Sequence, residues 1–402
     1  MNKKRTLANA ILEISKAFKV LLITGARQVG KTTLLKDTST PDRKYVTLDN
    51  PSFLIQAKTD PQGFLAEYNP PVCIDEIQYA PEIFSYIKML VDSSNKYGRI
   101  WMTGSQQFNM MQGVTESLAG RVAILNMFGF SIYELQDKAY TQKPFLPKKN
   151  RKRILNYKNS QGTFKILWQG SFPNVINKNK RDRTIFYDSY IQTYIERDVR
   201  QIINISNELT FLTFLKVIAT RTGQELNLTD ISKGAGIPVN TVTSWLSILQ
   251  TSGLVYLLQP YFQNTTKRLT KTPKMYFMDT GLAAYLAGWT TPEALEIGIA
   301  SGAFFETFVV TEIIKSYKHN AVSADLYYYR DSDKNEIDLL IYKDGQFYPI
   351  EIKKTATPTS DDIKAFKGFS KIENVAYGNL ICLTPVQQPL FTEAAAISIW
   401  DI

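Results

Sequence analysis

"GARQVGKTT", residues 25–33, follows directly on the apolar run "VLLIT", residues 20–24. The run has the length and composition of a buried strand. Behind it, Gly25-x-x-x-x-Gly30-Lys31-Thr32 has the spacing of a phosphate-binding loop. The glycines let successive backbone N–H groups turn inward around phosphate oxygens, and the helix expected from about Thr32 points its positive end at them. Lys31 would reach the β and γ phosphates of a nucleotide, and the Thr32 hydroxyl would ligate Mg2+. Gly25, Ala26, Arg27, Gln28, Val29, Gly30, Lys31, Thr32 and Thr33 are therefore the expected ATP-contacting residues. The bland alternative, a glycine-rich turn without a ligand, fits the strand-loop-helix context less well.

Three further pieces bear on the same chemistry. In "PPVCIDEIQ", residues 70–78, a short apolar strand ends in Asp75 and Glu76. Adjacent carboxylates at the end of a buried strand repel one another near a low-dielectric core, and a divalent cation resolves the conflict. Asp75 would hold Mg2+ through water, and Glu76 would orient or deprotonate the attacking water. In "GRIWMTGSQQF", residues 98–108, a core strand ends in Thr103, Ser105, Gln106 and Gln107, and Gln106 or Ser105 is the candidate sensor of the γ-phosphate. In "SLAGRVAILNMFGF", Arg121 precedes the strand Val122 to Leu125. It reads equally as a surface arginine or as one reaching the nucleotide of a neighbouring subunit in a homo-oligomer. Strands near 20–24, 45–49, 71–75, 99–103 and 122–126 alternate with helical stretches, which specifies a parallel sheet with helices on both faces. The loop, the paired acids and the 103–107 segment all fall at carboxyl ends of strands, where such sheets bind ligands.

The chain has 402 residues, enough for two to four domains, and 44% hydrophobic with 21% charged residues is an ordinary globular composition. Two cysteines, Cys73 and Cys382, and one histidine, His319, exclude a zinc cluster or a disulfide framework and suit a reducing cytoplasm. The basic N-terminus is interrupted by Glu13 and Lys16 and reads as an amphipathic helix, and no run approaches the roughly 20 apolar residues of a membrane span. The formal charge is +10, and residues 148–183 carry 11 Lys or Arg against one acid, Asp182. That segment is either a solvated face or a contact with a nucleic-acid backbone.

Farther on, "GSFPNVI" (170–176) and "YIQTYIERDV" (190–199) belong to a helical lid or bridge with no evident chemistry. Residues 228–258 read as helix, turn, helix and strand, with Gly234 and Gly236 breaking the chain and Val242, Leu246 and Leu249 forming a buried stripe. A β-wing out along 255–258 and back along 275–278, with Lys267, Arg268, Lys271 and Lys274 between, completes a winged helix-turn-helix. The outer face of its second helix shows Asn240, Thr241, Thr243, Ser244 and Ser247 but no arginine, so reading DNA bases and packing against another domain both remain open.

In "NEIDLLIYKDGQFYPIEIKK", Asp344-Gly345 between two apolar strands is a two-residue hairpin signal. The turn pairs Lys343 with Gln346, and stepping back along both strands brings Asp338 opposite Glu351. Two carboxylates about 5 Å apart destabilise a hairpin unless a cation lies between them. Lys353 shares a face with Glu351. Glu306 shares a helix face with Val309, Val310 and Ile313, an odd place for an acid. A helix acid, a strand aspartate and Glu-x-Lys on the next strand form the PD-(D/E)xK nuclease arrangement: Glu306, Asp338, Glu351 and Lys353 would be catalytic, with Asp338 and Glu351 as ligands of Mg2+. The alternative keeps the fold and has lost the activity, with Lys353 pairing Glu351 or Asp338.

These pieces, with "FMDTGLAAYL" and "GAFFETFVVTEI", resemble in order and over nearly the whole chain a bacterial and archaeal family of AAA+-like ATP-binding proteins. Members carry a C-terminal domain of unknown function with a restriction-endonuclease-like fold. The resemblance implies an α/β protein with four parts: a P-loop domain over 1–135, a helical bridge over 136–205, a winged helix-turn-helix over 206–290 and a nuclease-like α/β domain over 291–402. It carries Lys31, Thr32, Asp75 and Glu76 over as nucleotide-site residues and Arg121 as a trans-acting arginine. The expected activity is Mg2+-dependent ATP hydrolysis coupled to nucleic-acid binding, with DNA the favoured partner. The alternative is a nucleotide-gated DNA- or protein-binding switch that hydrolyses very slowly and carries a silent nuclease-like domain.

Overall fold

The computed structural model describes residues 3–104, 114, 117–194, 208–262, 272–331 and 335–402. Strands β1 (Val20–Thr24), β2 (Lys44–Thr47), β3 (Val72–Asp75), β4 (Ile100–Gly104) and β5 (Val122–Asn126) form an all-parallel sheet in the order β2-β3-β4-β1-β5. The three central strands β3, β4 and β1 are buried along their whole length because both faces are covered, whereas the edge strands β2 and β5 are partly exposed. Leu21 and Ile23 enter one core with Leu34, Leu35 and Trp101, while Val20 and Leu22 enter the other with Val46, Ile74 and Met102. Period-two alternation thus sends each half of "VLLIT" to a different core. The order inserts β4 between the loop-bearing β1 and the acid-bearing β3.

The second sheet has nine strands in the order β13-β14-β12-β11-β10-β9-β7-β8-β6. They are β6 (Gln224–Glu225), β7 (Val255–Pro260), β8 (Lys274–Phe277), β9 (Asp325–Arg330), β10 (Glu336–Lys343), β11 (Gln346–Ile352), β12 (Gly378–Cys382), β13 (Gln388–Phe391) and β14 (Ala394–Ser398). β7 pairs antiparallel with β8 and parallel with β9, so the expected boundary at 290/291 cuts across a continuous sheet. The β10–β11 turn has positive φ at both Asp344 (52°) and Gly345 (78°), the geometry the Asp-Gly pair promises. Its register is the expected one, from Lys343↔Gln346 back to Leu339↔Ile350.

Helices Leu228–Ala235 and Val239–Thr251 stand before β7, the second burying Val242, Trp245, Leu246, Ile248 and Leu249. Only Gly236 breaks the chain between them, at φ 66°. Gly234, expected to share that role, lies inside the first helix, where a side chain would press on Val217 of the neighbouring helix. Asn240, Thr243, Ser244 and Ser247 are exposed and Thr241 is half-buried. Lys267, Arg268 and Lys271, expected at the wing, lie outside the described residues.

Two buried hubs join these parts. Asp279 accepts from Ser171 N (2.6 Å), Ser171 Oγ (2.7 Å), Tyr187 OH (2.9 Å) and Leu282 N (2.7 Å). The long helix Ser301–Lys318 packs against β8 and β11 and reaches the first sheet's domain. There Glu312 accepts from Ile132 N at 2.8 Å and Lys315 donates to the Phe130 carbonyl at 3.1 Å.

Candidate functional site

At the end of β1 the chain turns through Gly25 (φ 148°), Gln28 (φ 60°) and Gly30 (φ 98°) into the helix Lys31–Thr38. Gly25 passes so close to the Met127 carbonyl that a Cβ would lie 2.1 Å from its oxygen. Ala26 and Val29 are buried in the core, so in this loop they can meet a ligand only through their backbone. Arg27 is half-buried, with Nη2 3.3 Å from Tyr79 OH, and Thr33 is exposed. Lys31 is 5% exposed, and its Nζ donates to the carbonyls of Gly25 (2.9 Å) and Ala26 (3.0 Å).

Asp75 is the centre of the site. Thr32 Oγ1 lies 3.1 and 2.9 Å from its two oxygens, Tyr45 OH donates to Oδ2 at 2.6 Å, and Thr103 Oγ1 donates to Oδ1. Burial and the Asp75 carboxylate hold the Tyr45 hydroxyl protonated, its pKa raised far above the ordinary value. Glu76 follows in the left-handed region (φ 58°, ψ 44°), a strained conformation for a non-glycine residue. Its N–H donates to Thr103 Oγ1 at 3.3 Å, and its Oε2 accepts from the Gln78 side-chain amide. Of the γ-phosphate candidates, Ser105 and Gln106 lie outside the described residues. The polar residue that β4 delivers to the acids is Thr103.

These residues fit Mg2+ and a triphosphate. The missing Cβ at Gly25 lets the loop pack directly against the Met127 carbonyl. Thr32 supplies a hydroxyl oxygen whose proton is taken by Asp75, which leaves its lone pairs for a cation. Beside the loop, a cleft of about 960 Å³ is lined by Gly30, Thr33, Asp37, Arg5, Asn9, Phe130 and Asn174, among others. The "GSFPNVI" segment, which shows no chemistry in the sequence, forms one wall: Pro173 faces Gly30, and Asn174 Nδ2 donates to Gln28 Oε1 at 3.4 Å.

The C-terminal acids meet as well, but differently from the expectation. Lys274 Nζ, from β8, lies 3.0 Å from Glu306 Oε1, 2.5 Å from Glu336 Oε1 and 3.3 Å from Asp338 Oδ1. Tyr276 OH donates to Glu306 at 2.7 Å, so this helix acid is far from unpartnered. A bulge in the β9–β10 pairing between Ile337 and Leu340 re-aims Asp338, whose Oδ2 accepts from Ile352 N at 2.9 Å. The ladder therefore stops one step short of Asp338 and Glu351. Glu351 pairs with Lys353 at 2.6 Å. Burial, and then the Asp338 charge, raise Glu306 to about 7 and Glu351 to about 8. Burial opposes the charge on Lys353, but Asp338 and Glu351 outweigh it and raise its pKa. Asp338 and Glu351, the expected Mg2+ ligands, each stand beside an ammonium group, Lys274 for the first and Lys353 for the second. Among the described residues no group of three or more acids, histidines or cysteines is placed to hold a metal ion.

Residues 17–136 match the family described as "AAA domain". The matched residues hold the first sheet and its loop, which are thus similar to an AAA-type domain. Residues 161–293 and 301–402 match two families described as domains of unknown function, DUF8612 and DUF4143. Uncharacterized protein Rv2008c of Mycobacterium tuberculosis is 29% identical over 344 residues, 85% of this chain and 71% of its own. Uncharacterized protein Mb2031c of Mycobacterium bovis matches to the same extent, 29% over 344 residues. Among solved structures, AMPPCP-bound DnaA from Aquifex aeolicus aligns with 11% identity and a TM-score of 0.31, covering 61% of this chain and 85% of that one. A RuvB variant from Thermotoga maritima aligns with 15% identity and a TM-score of 0.28, covering 62% and 85%.

Within the matched residues, Arg121 sits at the start of β5, beside Val20, on the sheet edge opposite the loop. Five strand residues, roughly 16 Å, separate it from its own chain's site. It forms a two-pronged pair with Asp92 (2.6 and 2.9 Å). The basic segment also divides. Arg183 is buried, stacked 3.8 Å over Trp168 and donating to the carbonyls of Trp168 and Gly281. Arg151 donates to the Asp401 carbonyl at 2.7 Å, and Arg153 pairs with the Asp401 carboxylate at 2.5 Å. These three arginines fasten the chain internally and are not presented to a phosphate backbone. Lys148, Lys149, Lys152, Lys158, Lys165, Lys178, Lys180 and Arg181 are exposed or partly exposed.

No described helix is long and apolar enough to cross a membrane.

Proposed function

We propose that this chain binds and hydrolyses ATP with Mg2+ at the carboxyl edge of the first sheet, and couples the nucleotide state to DNA binding. The observation that carries this reading is the meeting of Thr32, Thr103 and Tyr45 on the Asp75 carboxylate, with Lys31 in the adjoining loop and Glu76 next in the chain. The AAA-domain match supports it. Lys31 would exchange its two loop carbonyls for β- and γ-phosphate oxygens. Thr32 would ligate the cation, and Asp75 would hold it through water. A bound Mg2+ would neutralise charge on the β and γ phosphates. Glu76 would orient the attacking water and take its proton, while Thr103 holds Asp75 and the Glu76 N–H in place.

DNA would meet the exposed polar face of helix Val239–Thr251, read as the recognition helix of a winged helix-turn-helix, and the exposed lysines of the bridge. Arg121 would serve a neighbouring copy after release from Asp92, making the active form a homo-oligomer in the cytoplasm. Turnover of ATP measured with and without Mg2+ and duplex DNA tests the reading. It fails if the wild type shows no turnover, or if Lys31→Ala and Glu76→Gln turn over as fast as wild type.

One observation favours a second reading. The Glu76 carboxylate is engaged by Gln78 from a strained backbone, which removes it from water activation until that contact breaks. A slow switch would then show single-turnover hydrolysis, with DNA affinity differing several-fold between ATP and ADP.

A further inference from the structure

The C-terminal acids pose a problem of charge that the nucleotide site leaves untouched. Asp338, Glu351 and Glu336 come from β10 and β11, and Glu306 comes from the long helix. Asp338 and Glu351 are 5% and 6% exposed, and the Glu306 side chain is 15% exposed. Several carboxylates brought this close in a dry interior require a cation or protons. A nuclease-like fold implies a divalent metal at this place. The chain instead supplies its own positive charge, on β8, a strand distinct from all three acid-bearing elements.

We infer that Lys274 takes the place of a divalent cation in this cluster, so that the C-terminal constellation is a metal-independent ion-pair hub tying the β6–β7–β8 strands to the C-terminal strands. Three observations carry the inference. The Lys274 side chain is 5% exposed and its one ammonium lies within 3.3 Å of carboxylate oxygens from three residues: Glu306, Glu336 and Asp338. Its three protons match those three acceptors in number. Tyr276, two residues on and therefore on the same face of β8, donates to the same Glu306 oxygen, so the strand presents two donors and no acceptor to the acids. A divalent ion placed among Glu306 and Asp338 would face a buried ammonium at near-contact distance, which no surrounding water could screen.

The placement also has a structural logic. In the sheet β8 is separated from β10 by β7 and β9. Among the described residues the β7–β9 pairing is short: Gln259↔Tyr327 and Pro260↔Tyr328, with Tyr261 N donating to the Tyr328 carbonyl at 2.7 Å. The hub is thus a second fastening, made through side chains, where the backbone ladder is short. Glu351 stands apart from it. Its Oε1 is held by Lys353, and its Oε2 is buried with no hydrogen-bond partner. That orphaned oxygen marks where a cation would be welcomed if Lys274 were withdrawn.

The test is Mn2+ binding to the nucleotide-free full-length chain, followed by electron paramagnetic resonance. Wild type and Asp338→Asn are expected to bind the same number of Mn2+ ions. One ion fewer in Asp338→Asn overturns the inference. Lys274→Met removes the ammonium at similar side-chain length. It is expected to gain one Mn2+ site, abolished by adding Asp338→Asn, and to melt at a higher temperature with Mn2+ than without. A folded Lys274→Met that gains no site overturns the inference too. Should Lys274→Met fail to fold, the comparison of wild type with Asp338→Asn decides alone. Because ATP is absent throughout, the result is independent of whether the P-loop site hydrolyses nucleotide.

Discussion

Thr32, in the helix that follows β1, meets Asp75 at the end of β3: the hydroxyl is 3.1 and 2.9 Å from the two carboxylate oxygens, although β4 lies between β1 and β3. Thr103, on that intervening strand, bonds the same carboxylate. Binding and hydrolysis should therefore separate by residue. Lys31→Ala is expected to lose ATP binding, measured by equilibrium titration with a fluorescent analogue. Glu76→Gln is expected to keep affinity within a few-fold and lose roughly 100-fold or more in turnover, the usual share of a general base. A Glu76→Gln variant that turns over normally would remove Glu76 from this role.

Gly25 faces the Met127 carbonyl at a distance no side chain tolerates, and its φ of 148° disfavours any other residue. Gly25→Ala should displace the loop against β5 and cost roughly 1 to 3 kcal/mol of stability, the range for strained backbone positions. Thermal melting and ATP titration should both register the change. Gly120→Ala makes a suitable control, since a Cβ there meets nothing within 4 Å and only the positive φ of 73° is felt.

The raised carboxyls of the C-terminal cluster fix the sign of a pH effect. Glu351 titrates at about 8 in the folded chain against 4.5 for the ordinary group, chiefly because it is buried. The folded state then binds more protons than the unfolded state between these values, so this group's contribution is present at low pH and lost as pH rises towards about 8. Glu351→Gln cannot titrate. Its stability relative to wild type, from urea melts, is expected to improve between about pH 5.5 and about pH 8.5. A constant difference would show that Glu351 titrates normally.

The basic segment should divide into two kinds of mutant. Arg183→Met removes a buried guanidinium that serves two carbonyls and a tryptophan ring, and should cost on the order of 3 kcal/mol while leaving the DNA affinity of folded molecules unchanged. Replacing exposed Lys178, Lys180 and Arg181 together by Gln should leave stability unchanged. It should weaken DNA binding and flatten its salt dependence by up to about 0.9 in log–log slope for each phosphate no longer neutralised. Equal salt slopes for wild type and the triple variant would take the bridge out of the DNA interface.

What can be read from the sequence is what local chemistry dictates. The phosphate loop is written in residues that only a tight turn between strand and helix requires, and the β10–β11 hairpin in an Asp-Gly pair that accepts two positive φ angles. Asp75 and Glu76 are legible because two acids at a strand end need a reason. Tyr45 and Lys274 are not. Each reaches its carboxylate through the order of strands in a sheet, which no local pattern encodes: Tyr45 from the strand beside β3, Lys274 from three places along the second sheet. Thr103 lies in the expected segment, yet Ser105 and Gln106 are the more conspicuous candidates, since a threonine at a strand end looks like ordinary β-composition. The internal arginines are indistinguishable from the exposed lysines in composition, which does not separate a guanidinium stacked on Trp168 from an ammonium in water.

The long helix Ser301–Lys318 grips the first sheet's domain through Glu312 and Lys315 and carries Glu306 about two turns earlier. Those contacts are spaced along a single rod, with about 1.5 Å of rise per residue and no flexible joint within it. Were the proposed ATP cycle to shift residues 130–132, the displacement would reach the acid beside Lys274 along this rod, like a lever whose short arm rests against the first sheet. Mechanical strain generated at one end of the molecule would be felt as a change in ion-pair distance at the other.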